Sequence, residues 1–241
     1  MSYEPRTFWD QRLSEQFDLR GTGEPGLSLA YNRACYDLRG RVLSTALRDA
    51  GMDPRGRKVL DVGCGTGFFT AYYHSRGAMV TGIDITPTSV RRLRERFPDA
   101  RFLEGDISET ALEDRFDIVN AFDVLYHITD DARWLRAVEN LSRAVAPQGL
   151  LALTDAFSEP AGLAEHVRPR ALPRYREALT RNGLEPLGVY PTHVLLNREL
   201  GAFRFLNRLP GLLWTADRAL LALGGGQGPT ISKLLVARRV R

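Results

Sequence analysis

The run Val59-Leu60-Asp61-Val62-Gly63-Cys64-Gly65-Thr66-Gly67 sets a carboxylate two residues ahead of three alternating glycines. An apolar strand that ends this way and opens a helix near Phe68 is a nucleotide-binding turn. Its glycines let the backbone bend sharply and approach a ligand that any Cβ would obstruct. The dinucleotide fingerprint needs a further glycine where this chain has Phe68, so NAD or FAD binding is disfavoured. A second acid, Asp84, ends the apolar run Thr81-Gly82-Ile83, where a carboxylate can take both ribose hydroxyls; capping the helix that begins near Pro87 is the structural alternative. A third, Asp106, stands in Phe102-Leu103-Glu104-Gly105-Asp106-Ile107.

Taken in register, these segments resemble the motifs of the class I S-adenosylmethionine-dependent methyltransferases of small-molecule type. Phe116-Asp117-Ile118-Val119-Asn120-Ala121-Phe122-Asp123 resembles the fourth motif and Gly149–Asp155 the fifth strand, so the likeness runs from Lys58 to Asp155, about two-fifths of the chain. The resemblance implies S-adenosyl-L-methionine as cofactor. Asp61 would then help hold its ammonium, directly or through water, or order the glycine turn formed by Gly63, Gly65 and Gly67. Asp84 would hold the ribose with Ile85 beside it. Asp106 would accept the adenine amino group, Ile107 would pack on the ring, and Ala121 would face the methionine portion.

Methyl transfer needs a nucleophile aligned behind the methyl group, and orientation can supply on the order of 7–11 kcal/mol of the barrier at best. An alcohol acceptor also needs a general base. Of four histidines, His127 follows the fourth strand, where the family often places its acceptor, and His166 lies on the loop after the fifth. Both are candidate bases, and both have a plain reading as loop residues. His74 and His193 are read as structural, and no metal site is expected. The expected reaction is O-methylation of a small acceptor, a sugar or natural-product hydroxyl. The alternatives are N- or C-methylation of a small metabolite, or a cofactor-binding assembly protein without catalysis.

The elements that must position these groups follow from periodicity. Short apolar runs alternate with helical segments, which argues for a parallel sheet. Strands are expected at Lys58–Val62, Met79–Ile83, Ala100–Leu103, Ile118–Phe122, Leu150–Thr154, Val189–Leu196 and Ile231–Arg238. Helices are expected at Leu27–Ala50, Phe69–Arg76, Ser89–Arg96, Ala132–Val145 and Arg174–Arg181. The fold implied is α/β, a Rossmann-like, seven-stranded, mostly parallel sheet flanked by helices with its last strand antiparallel. It is expected as a single domain over 1–241, with a helical segment at 1–50, the cofactor core at 58–155 and an insertion at 198–228. Tyr31, Asn32 and Tyr36 either close over the cofactor or pack their helix on the sheet. In the insertion, Leu212, Ala216, Leu220 and Leu223 recur at helical spacing, which by default means core packing. Walling the acceptor pocket, a homodimer surface and contact with a membrane are the other roles open to that segment.

Composition narrows the partners. The formal charge of +4 is spread along the chain, and the densest basic stretch, Arg91 to Arg101, alternates with Glu95 and Asp99 as a solvated helix face does. No basic and aromatic interleaving marks a nucleic-acid track, and the fourth motif lacks the Pro-Pro-aromatic sequence of base-amino methyltransferases, so no nucleic-acid partner is expected. The longest apolar stretch, Gly211–Leu223, is broken by Asp217 and Arg218, and stable membrane insertion is not expected. Two distant cysteines, Cys35 and Cys64, and a charged N-terminus suggest a reducing, cytoplasmic setting.

Overall fold

The computed structural model describes residues 3–159, 164–196, 200–228 and 231–240. Helices α1 (Pro5–Glu15), α2 (Leu19–Thr22) and α3 (Leu29–Asp49) precede the sheet. Then follow β1 (Lys58–Val62), α4 (Phe68–His74), β2 (Met79–Asp84), α5 (Pro87–Arg96), β3 (Arg101–Glu104) and β4 (Phe116–Ala121). The second half runs α6 (Asp131–Ala144), β5 (Val145–Asp155), α7 (Leu172–Arg181), β6 (Leu184–Pro191), α8 (Pro210–Ala222) and β7 (Lys233–Arg239).

The seven strands form one sheet in the order β3-β2-β1-β4-β5-β7-β6. All neighbouring pairs up to β5 are parallel, and β7 runs antiparallel to both β5 and β6. The sheet is therefore the Rossmann-like sheet implied by the motifs. Its order reverses between β1 and β4, and in such sheets ligands bind at the carboxyl ends of the strands flanking that reversal.

Alternation along the strands divides the core into two layers. Leu60, Val62, Val119 and Ala121 pack against α6 and α7, where Trp134, Ala137, Val138 and Leu141 form a wholly buried stripe at helical spacing. Val59, Val80, Ile118 and Val236 face the other way, onto α3 and α4. The same alternation sends Asp61 and Asn120, direct partners in the β1–β4 register, toward α4.

Two expectations need correction and one is sharpened. Helix α1 is a separate element inside the helical segment expected at 1–50; only Leu13 of its residues is buried, and it packs on α2, α5 and the cavity. Glu4 caps it by accepting from the backbone N–H groups of Arg6 and Thr7, and Asp10 accepts from Thr88 N at 3.0 Å at the start of α5. The sixth strand spans Leu184–Pro191, not Val189–Leu196, because the N–H groups of Val194, Leu195 and Leu196 all bond to the carboxylate of Asp217 on α8 instead of a neighbouring strand. The expected Leu212–Leu223 core stripe is not core: Leu212 is 59% and Leu223 84% exposed and Ala216 and Leu220 are half-buried, while Leu213 and Asp217 form the buried side. Arg198, the expected start of the insertion, lies outside the described residues.

Candidate active site

A cavity of about 330 Å³ opens over the carboxyl ends of β1, β2 and β4, at the low end of the range for small-molecule sites. Its floor is the turn Gly63–Thr66 together with Asp61, Asp84, Ile85 and Gly105–Ile107. Phe122–Val124, His127–Asp130 and Arg133 form one wall, and Tyr36 and Thr22 another. Tyr3, Pro5, Trp9 and Leu13 cover it from the N-terminal side. Nearly all of the expected cofactor residues thus meet around one space. Gly67 and Ala121 do not line it. Gly67 turns at φ +79° beneath Leu93, and Ala121 is wholly buried in the α6-side core, leaving Phe122 and Asp123 to face the cavity.

The glycine turn is forced by its backbone. Gly63 and Gly65 hold φ of +65° and +49°, a region costly for residues with a Cβ, and a Cβ on Gly63 would collide with Val124. Below the turn, Asp61 accepts from Thr70 Oγ1 at 2.7 Å and Asn120 Nδ2 at 2.8 Å. Asp84 accepts from Gly65 N at 2.8 Å, Thr86 N at 2.9 Å and Thr86 Oγ1 at 2.7 Å. The cap before Pro87 is Thr86, which removes that alternative role from Asp84. Burial raises both carboxyl pKa values, Asp61 to about 6. Neither acid has a basic side chain within ion-pair distance among the described residues. Two buried, unneutralised carboxylates suit a ligand that brings positive charge and hydroxyl donors, and they oppose a pyrophosphate. A carboxylate has about four lone-pair sites, so each can accept more bonds than the protein supplies.

Asp106 is more occupied. Its Oδ1 accepts from Ser108 N at 2.7 Å and its Oδ2 pairs with Arg133 at 2.6 Å. Arg133 also reaches Glu109 at 3.2 Å, so this arginine, absent from the sequence reading, fixes the acid at the far end of the cavity. Ile107 is buried in the core directly after it.

At the other end, His127 sits in an aromatic box. Trp9 lies edge-on with ring centres 4.9 Å apart, and the His166 ring is stacked at 5.6 Å with an 11° tilt. His127 Nδ1 lies 2.8 Å from the His166 carbonyl, which only accepts, so Nδ1 carries the proton in the neutral ring and Nε2 carries the lone pair. Burial lowers the His127 pKa to about 4. His166 itself does not line the cavity: its ring packs on Phe8 at 5.0 Å and on Tyr3 at 5.9 Å. The two candidate bases therefore have different places, one beside the cavity and one behind it. His74, paired with Asp99 at 2.8 Å, and His193, bonded to Thr192, both lie outside the cavity lining.

Beside His127, Asp123 adopts φ +58°, unusual for a non-glycine residue. Its conformation is held by three contacts: its N–H donates to Thr154 Oγ1 at 2.8 Å, and its carboxylate accepts from Thr154 Oγ1 at 2.9 Å and from Arg39 at 2.5 Å. Burial opposes the charge on Arg39, but Asp123 together with Tyr36, Tyr126 and Cys35 outweighs it, and the guanidinium pKa is raised. Of the three residues expected in a cover, only Tyr36 lines the cavity. Tyr31 packs with Leu196 and Leu213, and Asn32 brackets the loop at Glu24–Ser28. The covering side chains instead come from α1 and Tyr3 before it.

Residues 59–149 match the family model described as a methyltransferase domain. The chain is 33% identical over 144 residues to the trans-aconitate 2-methyltransferase of Shigella dysenteriae serotype 1 (strain Sd197), covering 58% of this chain and 54% of that protein. It is 34% identical over 111 residues to the ubiquinone biosynthesis O-methyltransferase of Pseudomonas aeruginosa (strain LESB58), covering 44% and 47% respectively. The chain thus spans about half the length of these curated relatives. Its fold is shared with the N-methyltransferase NodS from Bradyrhizobium japonicum WM9, solved with S-adenosyl-L-homocysteine, at a TM-score of 0.65, 18% identity and 98% coverage of both chains. Residues 59–149 thus match a methyltransferase domain, carried on a fold shared with a methyltransferase solved with S-adenosyl-L-homocysteine.

Proposed function

We propose that the chain, acting as a single domain, transfers a methyl group from S-adenosylmethionine to an oxygen of a small-molecule acceptor. The observation that carries this reading is the pair of buried, unneutralised carboxylates, Asp61 and Asp84, opening into one cavity with the neutral His127 at its other end. Bound S-adenosylmethionine supplies a methyl group on a positively charged sulfonium. Asp61 takes the ammonium of the methionine portion, Asp84 uses its remaining lone pairs for ribose hydroxyls, and Gly63 and Gly65 let the backbone come close. Ile85, Asp106 and Ile107 receive the adenine end, with Arg133 holding Asp106 in place. Trp9, Tyr3 and Leu13 keep water from the reacting end.

His127 defines the acceptor chemistry. Its ring is neutral at pH 7, with Nε2 as the hydrogen-bond acceptor, so it can orient an acceptor O–H. A conjugate acid with a pKa of about 4 is a poor match for removing a proton from an aliphatic alcohol. The site therefore suits an acidic hydroxyl better than a sugar alcohol. The O-methyltransferase name of one relative agrees with an oxygen nucleophile. His166 acts on this ring through its carbonyl, as a positioning group.

The test is to incubate the protein with isotope-labelled cofactor and a metabolite extract, identify the labelled product, and repeat with His127→Ala. Turnover should fall by about 2–10-fold, the worth of one orienting hydrogen bond at roughly 0.5–1.5 kcal/mol, with affinity for S-adenosylhomocysteine changed less than about twofold. Full turnover in His127→Ala would reject its role. Labelled products methylated only on nitrogen or carbon would reject oxygen transfer, and a protein that binds the cofactor but labels nothing would be the non-catalytic alternative.

A further inference from the structure

The segment between β6 and β7 carries large apolar side chains that no described residue covers. Of the ten large hydrophobic side chains exposed among the described residues, five fall in this one stretch: Phe203, Phe205, Leu209, Leu212 and Leu223. Large exposed apolar patches mark interaction surfaces more often than isolated exposed residues do. On α8 and its C-cap, Leu212, Ala216, Ala219 and Leu223 recur at i, i+4, i+7 and i+11, which places them on one stripe about 16 Å long. The opposite side of the helix is already engaged, with Leu213 buried against Tyr31 and Leu38 of α3. The helix is therefore apolar on two faces, of which the inner one packs on α3, on residues 194–196 and on the 201–208 turn.

Charge says what the second face meets. Arg204, Arg208 and Arg218 are exposed in this segment. The only acid among residues 200–228 is Asp217, which is fully buried and taken up by the N–H groups of Val194, Leu195 and Leu196. Arg218 and Arg41 lie over Trp214, each 4.9 Å from its ring. Leucine and phenylalanine mixed with arginine, without exposed acids, is the make-up of a helix that lies in a bilayer interface and is drawn to anionic lipid. A second copy docked about a twofold axis would bring the arginines of residues 204–218 together with no exposed acid of residues 200–228 to pair them. No helix among the described residues is long and apolar enough to cross a membrane, so the contact is peripheral.

We propose that the outward face of residues 203–223 docks this protein on an anionic membrane surface, with the leucines and phenylalanines entering the interface and Arg204 and Arg208 meeting lipid phosphates. The test is cosedimentation of the full chain with phosphatidylcholine vesicles, with and without phosphatidylglycerol. The protein should pellet with the anionic vesicles, pellet much less with phosphatidylcholine alone, and be released by added salt. The R204A/R208A variant should lose about thirtyfold in partitioning, since each arginine near such a surface is worth roughly a factor of five. The F205S/L212S variant should lose binding at low salt as well. None of these residues lines the cavity, so S-adenosylhomocysteine affinity serves as the control for folding and stays unchanged. Absence of pelleting, or pelleting that both variants retain, overturns the proposal. So does a dimer in sedimentation equilibrium that F205S/L212S abolishes, which would make the face a contact between copies. A failure here leaves the methyl-transfer reading untouched, because that is read in the labelling assay.

Discussion

Replacing Asp61 with asparagine separates the cost of a buried charge from its use. The Asp61 carboxyl is 2% exposed, and burial raises its pKa from 3.8 to about 6. The folded chain therefore holds this proton more tightly than the unfolded chain. Between pH 4 and 6 the folded state binds more protons, so stability falls as pH rises through that window. Above it the ionised group costs a constant amount, about 3 kcal/mol at 1.36 kcal/mol per unit. Asparagine fits the same bonds: its oxygen accepts from Asn120 Nδ2, and its amide donates to the hydroxyl of Thr70. Without cofactor, Asp61→Asn should be about 1–3 kcal/mol more stable than wild type at pH 7.5, with the gain vanishing near pH 4. The charge is kept for the ligand, so affinity for S-adenosylhomocysteine should fall about 10–100-fold, the loss of a hydrogen bond to a charged group at roughly 1.5–3 kcal/mol. Urea denaturation at the two pH values and titration calorimetry at pH 7.5 read both effects. A variant that is less stable at pH 7.5 and binds the product normally would refute the reasoning, because Asp61 would then be a structural brace alone.

Asp123→Asn leaves the guanidinium of Arg39, with a side chain only 16% exposed, without its carboxylate, and should cost about 3–5 kcal/mol by denaturant unfolding. Gly63→Ala puts a Cβ against Val124 at φ +65° and should destabilise by about 2–4 kcal/mol through αL strain and overpacking, with cofactor binding lost beyond the calorimetric range. The acid limb of the pH–rate profile should follow His127 and fall near pH 4, with a flat rate from pH 5 to 7 apart from the cofactor-affinity change set by Asp61 near pH 6; a limb at 6.5 that His127→Ala removes would show the ring to be solvated in the working enzyme.

The sequence by itself determined the parallel part of the sheet and the floor of the cavity. Each of these rests on short-range rules. A strand of period two places Asp61 and Asn120 on one face, and a turn such as Gly63-Cys64-Gly65-Thr66-Gly67 needs glycine because its φ angles are positive. Asp84 and Asp106 were legible for the same reason, since each ends or follows a strand of fixed register. Tertiary structure alone decided the rest. Helix α1 buries one leucine and shows little apolar pattern, yet it brings Trp9 against His127 across more than a hundred residues of chain. Arg133 reached Asp106, and Arg39 reached Asp123, through contacts that no spacing encodes. The two histidines read alike as sequence, one entering the cavity lining and the other lending its carbonyl, because solvation and orientation belong to the packed neighbourhood. The stripe on α8 reads identically whether it faces the core or water. Only the prior occupation of the inner side by Leu213 and Asp217 turned it outward.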